Sequence, residues 1–250
     1  MLTGLAVALL AGCVVGIAFG AANLGASAIA KALFTDGADP TAEVIVRSLR
    51  APRVVAALIV GACLGASGAL LQSATRNPLG DPQLFGLGGG AAIVQAMAMA
   101  GIVVAGPWGI TSLSVVAALI GGLLISLLAS RESLTPARLA LIGVSIGALT
   151  LAIAAAFLTH ARVFSLQALA LFSGSLANRS WDDVMPAIPY LVLGIVLAIL
   201  AAGRLNLLVL GDRLAGQLGA SPKGTRLVAV VSAGVLAGAA VSLALSHIHI

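Results

Sequence analysis

Apolar residues in this chain run on without the alternation of a water-facing element: over residues 1–30, and again over 54–75, no Asp, Glu, Lys or Arg interrupts them. Such runs reach the ~20 residues that a helix needs to cross a bilayer. An ionised side chain costs roughly 3 kcal/mol at the bilayer centre, so the charge-free intervals mark the spans. The intervals 139–159, 184–203 and 227–245 hold one span each. The interval 82–130 is long enough for two and divides at Gly106-Pro107-Trp108-Gly109, which supplies breakers and an interfacial aromatic. The pattern therefore predicts about seven spans, near 2–25, 54–74, 86–104, 109–130, 138–159, 184–203 and 226–246. Barrel strands would alternate over ~10 residues, so the expected fold is all-α: a polytopic transmembrane helix bundle forming a single domain over 1–250. The apolar stretch 163–178 is too short to cross and predicts a short interfacial helix. Ala26-Ser27-Ala28 looks like a cleavage site, but the run before it lacks a basic start and exceeds the ~15 residues of a signal-peptide core.

Composition agrees with this pattern. The chain is 60% hydrophobic and 8% charged, where soluble domains carry roughly a quarter charged residues. Its mean hydropathy is +1.16. The net charge of +5 does not indicate nucleic acid, because the 13 Lys and Arg are scattered among connections and form no basic stripe. Cys13 and Cys63 lie in apolar stretches and suit neither a disulfide framework nor a zinc site, and no metal site or cofactor is expected. His160 reads as interfacial, and His247 and His249 as an improbable ligand pair. Small residues recur at four-residue spacing in Gly12/Gly16/Gly20, Gly61/Gly65, Gly143/Gly147 and Gly234/Gly238, as in closely packed membrane helices.

The charges bear on mechanism. All 8 acids fall outside the expected spans, so the chain offers no midplane carboxylate for ion coupling. That weakens an ion-coupled secondary carrier without removing it. No Gly-x-x-x-x-Gly-Lys-Ser/Thr loop is present, so an ATPase would have to be a separate subunit. Gly86 to Ala91 fits a loose dinucleotide fingerprint but opens a membrane span instead of following a strand. For orientation, Arg76, Arg131, Arg138, Arg204, Arg213, Lys223 and Arg226 would share the N-terminal side. Lys31, Arg47, Arg50, Arg53, Arg162 and Arg179 would face the other, so the positive-inside rule leans toward a cytoplasmic N-terminus.

Three connections look functional. In Arg50-Ala51-Pro52-Arg53, two cations beside a helix N-terminus oppose its dipole, which an anionic partner or interfacial snorkelling would rationalise. Arg76-Asn77-Pro78-Leu79-Gly80-Asp81-Pro82 reads as a structured turn. Residues 205–220 hold a short helix starting near Asp212, with Leu214 and Leu218 on one face and Gly219 as its stop. It suits either the membrane surface or a docked cytoplasmic partner.

At these connections the chain resembles permease subunits of the FecCD family, type II ABC importers for iron-siderophores, haem and vitamin B12. The resemblance rests on Leu49-Arg50-Ala51-Pro52-Arg53, on Ser67-Gly68 and Leu71-Gln72 followed by the Arg76 to Pro82 turn, on Gly174-Ser175-Leu176 with Trp181, and on Leu205-Asn206-Leu207-Leu208 with Leu210-Gly211 and Ala215 to Gly219. It implies a multi-pass protein of the cell (inner) membrane, assembled with a second permease copy or a paralogue, cytoplasmic ATPase subunits and an extracytoplasmic binding protein. It further implies that Arg50 and Arg53 face acids on the binding protein. Leu210, Gly211, Asp212, Arg213, Leu214, Ala215, Leu218 and Gly219 would couple to the ATPase, and Thr135 and Pro136 would lie at a gate. The permease would itself hydrolyse nothing, and Gly174-Ser175-Leu176 favours siderophores, with haem and vitamin B12 as alternatives. Family members have ten spans and continue past the seventh, whereas this sequence stops at Ser246-His247-Ile248-His249-Ile250. The expectation is a C-terminally shortened permease, with a transport-inactive remnant as the alternative.

Overall fold

The computed structural model describes residues 2–20, 22–35, 39–78, 80–83, 85–131, 136–161 and 174–245, of which 128–131, 136–140 and 245 are described by their backbone alone. Among these residues every regular element is helical. α1 spans Leu2–Ala18, α2 Ala26–Phe34 and α3 Pro40–Glu43. A π-helical segment, Val44–Arg50, then runs into α4, Ala51–Thr75. α5 follows at Leu87–Met99, α6 at Pro107–Arg131, α7 at Pro136–His160 and α8 at Trp181–Val184. α9 is Ala187–Leu208, α10 Asp212–Gln217 and α11 Pro222–Leu245.

Five of the described helical stretches are long and apolar enough to cross a bilayer: Pro40–Thr75, Pro107–Leu127, Leu141–His160, Trp181–Leu208 and Pro222–Ala244. The first and third expected spans are shorter than their charge-free intervals allow. α1 stops at Ala18 instead of continuing to residue 25. α5 has 13 residues, about 20 Å against a hydrocarbon core of about 30 Å. Gly86, in the left-handed region, starts α5, and Gly101 at φ +71° follows its end. In the opposite direction, the expected connection before the second span is helical from Pro40 onward. The stretch 163–178 lies mostly outside the described residues, and its described part, 174–178, is irregular.

α11 is the centre of the bundle, packed on α4, α6 and α9 and more lightly on α5. Its small residues explain how. Lipid tails are as apolar as Leu, so helix association in a membrane depends on close packing and interhelical hydrogen bonds. A Cβ at Gly238 would sit 2.7 Å from the Val115 Cα on α6, and one at Gly234 would sit 2.9 Å from the Leu119 side chain. Ser232 donates to the Gly194 carbonyl (2.7 Å) and Ser67 to that of Ala233 (3.0 Å), tying α11 to α9 and α4. Each such bond contributes about 0.6 kcal/mol. Where α5, α6 and α11 meet, buried Gln95 donates to Ser114 and Ser242, and Ser242 donates to Thr111.

The other small-residue pairs divide. Gly16 and Gly20 meet Val54 and Arg50, whereas Gly12, Gly61 and Gly65 face open space. α1 has no buried residue, and the described part of α7 packs chiefly on α5.

Candidate functional site

The arginines and the Asp212 segment singled out in the sequence lie at the two ends of α4. At its start, Pro52 lacks the N–H that an α-helix would direct to the Ser48 carbonyl, so the turns before it widen. Ala51 N–H accordingly bonds the Val46 carbonyl five residues back. Arg50, at the end of the widened segment, is only 8% exposed. Its guanidinium donates to the carbonyls of Ile17 (2.8 Å), Ala18 (2.9 Å) and Ala22. It thereby caps the last turn of α1, whose carbonyls have no intrahelical donor. Arg53, one turn later, is exposed and has no hydrogen bond or ion pair among the described residues. It lies at the rim of a cavity of about 1090 Å³ walled by Gly12 and Gly16 of α1 and by Ala57 and Gly61 of α4.

Two further ties brace this end. Trp181 Nε1 donates to the Arg47 carbonyl (2.9 Å), while Arg47 Nε donates to that of Ala32 (2.6 Å). Arg179 is buried and donates to the Ser175 carbonyl (3.0 Å). Burial lowers its pKa from the usual guanidinium range, and the nearby Asp183 carboxylate opposes that shift.

The other end of α4 lies about 35 Å away at the helical rise of ~1.5 Å per residue. There Arg76 caps α4 in the left-handed conformation (φ +53°), its N–H bonding the Gln72 carbonyl. Gly80 then passes so close to the Gln72 backbone that a Cβ would lie 2.7 Å from its nitrogen. α10 is delimited by Gly211 at φ +97° and Gly219 at φ +84°, conformations that strain any residue with a Cβ. The Ala220 N–H closes the helix on the Ala215 carbonyl at 2.9 Å. Ala215 is fully buried, whereas Leu210, Leu214 and Leu218 are exposed, as is Arg213.

Asp212 fastens this helix to the bundle. Its Oδ1 accepts from Arg76 Nη2 (2.9 Å) and Arg226 Nη2 (2.8 Å), and its Oδ2 from Arg226 Nη1 (2.9 Å). The Arg226 hydrogen bonds hold the Asp212 carboxyl below the usual carboxylate range, helped by the charges of Arg226 and Arg76. Arg226 Nε also donates to the Ala74 carbonyl at 3.2 Å.

The structure thus brings the α10 residues together with Arg76 and Arg226, and sets Arg50 and Arg53 at the far end with different environments. Thr135 lies outside the described residues, and Pro136 is the first residue of α7, described by its backbone alone. The sequence reading did not assign Arg76 and Arg226 to Asp212. Arg76 is 136 residues away along the chain, and only the charge at each of three span ends hinted at a meeting.

The FecCD transport family profile matches residues 8–244. The ferric enterobactin transport system permease protein of Escherichia coli is 35% identical over 94% of this chain and 72% of its own length. The Fe(3+)-citrate import system permease protein YfmD of Bacillus subtilis is 32% identical over 81% of this chain and 60% of its own. This chain therefore spans from less than two thirds to less than three quarters of the length of these relatives. A metal-chelate type ABC transporter solved in an inward-facing conformation superposes with a TM-score of 0.73 at 26% identity, over 99% of this chain and 76% of that one.

Proposed function

Because the chain belongs to the FecCD transport family, we propose that it is a permease subunit of an ATP-driven importer for ferric chelates of the siderophore or citrate kind. The single observation that carries this reading is the separation of two interaction surfaces along one helix. The exposed Arg53 stands at the start of α4, and the exposed Leu214 of α10, with Leu210 and Leu218 flanking that helix, stands beside its end, about 35 Å away. That distance exceeds the hydrocarbon core of about 30 Å, so the two surfaces face opposite aqueous compartments. A charged surface outside suits a soluble binding protein that delivers substrate. A short helix inside, with exposed leucines in and beside it, suits a groove on an ATPase subunit, which supplies the hydrolysis.

In this arrangement the N-terminus and α10 face the cytoplasm, Arg53 faces outward, and the membrane is the cytoplasmic one. Arg53 meets acidic side chains of the binding protein, while Arg50 fixes the helix end that presents it. Leu210, Leu214 and Leu218 enter the ATPase groove, and Asp212 holds α10 in place. A gate at Thr135 and Pro136 and a second permease copy belong to the same proposal. The ferric-chelate assignment rests on the substrates named for the enterobactin and citrate relatives.

The test is reconstitution of the chain in proteoliposomes with its ATPase and binding protein. Uptake of a ferric chelate that requires ATP and persists when proton and sodium gradients are collapsed is the expected result. Uptake that follows an ion gradient and ignores ATP overturns the reading.

A further inference from the structure

The ion cluster around Asp212 joins three elements, α4, α10 and α11, of which α4 is far from the other two along the chain. α10 has six residues and turns out of α9 and into α11 at Gly211 and Gly219, both at positive φ. Ala215 seats it against the bundle, and Asp212 provides its side-chain ion pairs. One guanidinium, that of Arg226 on α11, reaches both Asp212 oxygens and the Ala74 carbonyl near the end of α4. Arg76 reaches the same carboxylate from a left-handed helix cap, a position where glycine is the usual occupant. A side chain placed there against backbone preference has a use for its charge.

We propose that Arg76 and Arg226 are positioning residues that deliver the movement of α10 to α4 and α11 together. The inference rests on the reading of α10 as the seat of an ATPase subunit. α4 leads directly to Arg53 at the other end, and α11 is the helix around which α4, α6 and α9 pack. A displacement of α10 carried through Asp212 therefore reaches the substrate-delivery end along one continuous helix and the bundle centre along another. The cluster adds little to stability, because its side chains are 34 to 47% exposed and ion pairs in water are weak. Its geometry is that of a joint: bidentate, charge-assisted, and spanning three elements.

The experiment compares Asp212→Asn, Arg76→Gln and Arg226→Gln with the unmodified chain, each assembled with the ATPase and binding protein. The expected result is retention of the ATPase subunit, a melting temperature within about 3 °C of the parent, and substrate moved per ATP hydrolysed lower by about tenfold. Asp212→Glu, which keeps the charge, restores most of the ratio. An unchanged ratio in all three variants overturns the proposal while leaving the importer reading intact. Loss of the ATPase subunit in these variants also overturns it, because the cluster would then serve docking alone. Failure of the unmodified chain to retain an ATPase subunit defeats the importer reading itself and this proposal with it. A second readout needs no ATPase: spin labels at Gln72→Cys and Gln217→Cys, with Cys13 and Cys63 replaced, give a narrow distance distribution. That distribution broadens in Asp212→Asn, and unchanged width there overturns the joint.

Discussion

Arg50 and Arg53 carry the same charge one helical turn apart, and burial gives them different work. Arg50 spends its guanidinium on the carbonyls at the end of α1. Arg50→Ala leaves three half-buried carbonyls without their donors, so it should destabilise the protein by about 1 kcal/mol. Thermal unfolding in detergent measures this, and amide exchange in the last turn of α1 should speed up in parallel. Arg53→Glu should leave the fold unchanged and weaken binding-protein affinity by about tenfold at low salt, with the difference shrinking as salt screens the contact. Titration of the binding protein at several ionic strengths reads both. Asp212 follows a third rule. Its folded pKa lies below the ordinary carboxylate value, so its ion pairs contribute fully above that value and are lost only as pH falls through the lower, folded one. The stability difference between the parent and Asp212→Asn should thus be small and constant from pH 5 to pH 8, vanishing only below about pH 4. A decline already at pH 6 would contradict the assigned partners.

At the scale of the element, most charge-free intervals fall within the long helices because the penalty for a charge in lipid is large and local, although the helical stretch through the second interval begins already at Pro40. The remaining intervals overstated α1 and α5, because an apolar loop and an apolar helix present the same hydropathy. α5 is set by glycine contacts instead. A Cβ at Gly90 would lie 2.3 Å from the Ala117 carbonyl oxygen of α6, and backbone cannot step aside as a side chain can. Gly90→Ala should destabilise by about 1–3 kcal/mol, whereas Gly61→Ala, which faces open space, should be neutral or slightly stabilising. Paired melting curves decide. The widened turn before Pro52 has a cause visible in the sequence, yet its consequence depends on where the α1 carbonyls lie.

For the whole molecule, α11 is the organising element and α1 the outermost. Gly238→Leu should abolish folded yield, since the new side chain points at the Val115 backbone of α6. A Cβ at Gly12 on α1 meets nothing within 4 Å and the position borders an open cavity, so Gly12→Leu should express normally. Gel filtration of the two variants in the same detergent separates the cases. Equal yields would mean that α11 is not the centre of the bundle. Neighbouring motifs gave Gly12 and Gly238 the same standing in the sequence, as members of small-residue faces. Only the docking of α11 between α4, α6 and α9 made one of them a contact.

The sequence alone determined the helical membrane fold, the intervals that hold the long helices and the short helix near Asp212 with its stop at Gly219, because lipid exclusion of charge and the strain of positive φ act on each residue locally. It also placed Arg53 and Leu210, Leu214 and Leu218 in connections. Tertiary structure decided what no local rule contains: that Arg50 turns inward, that α11 is central, and that Asp212 meets Arg76 and Arg226. Those outcomes follow from which backbone groups lack partners and which charges come within reach once distant segments pack, and neither is encoded at any single position.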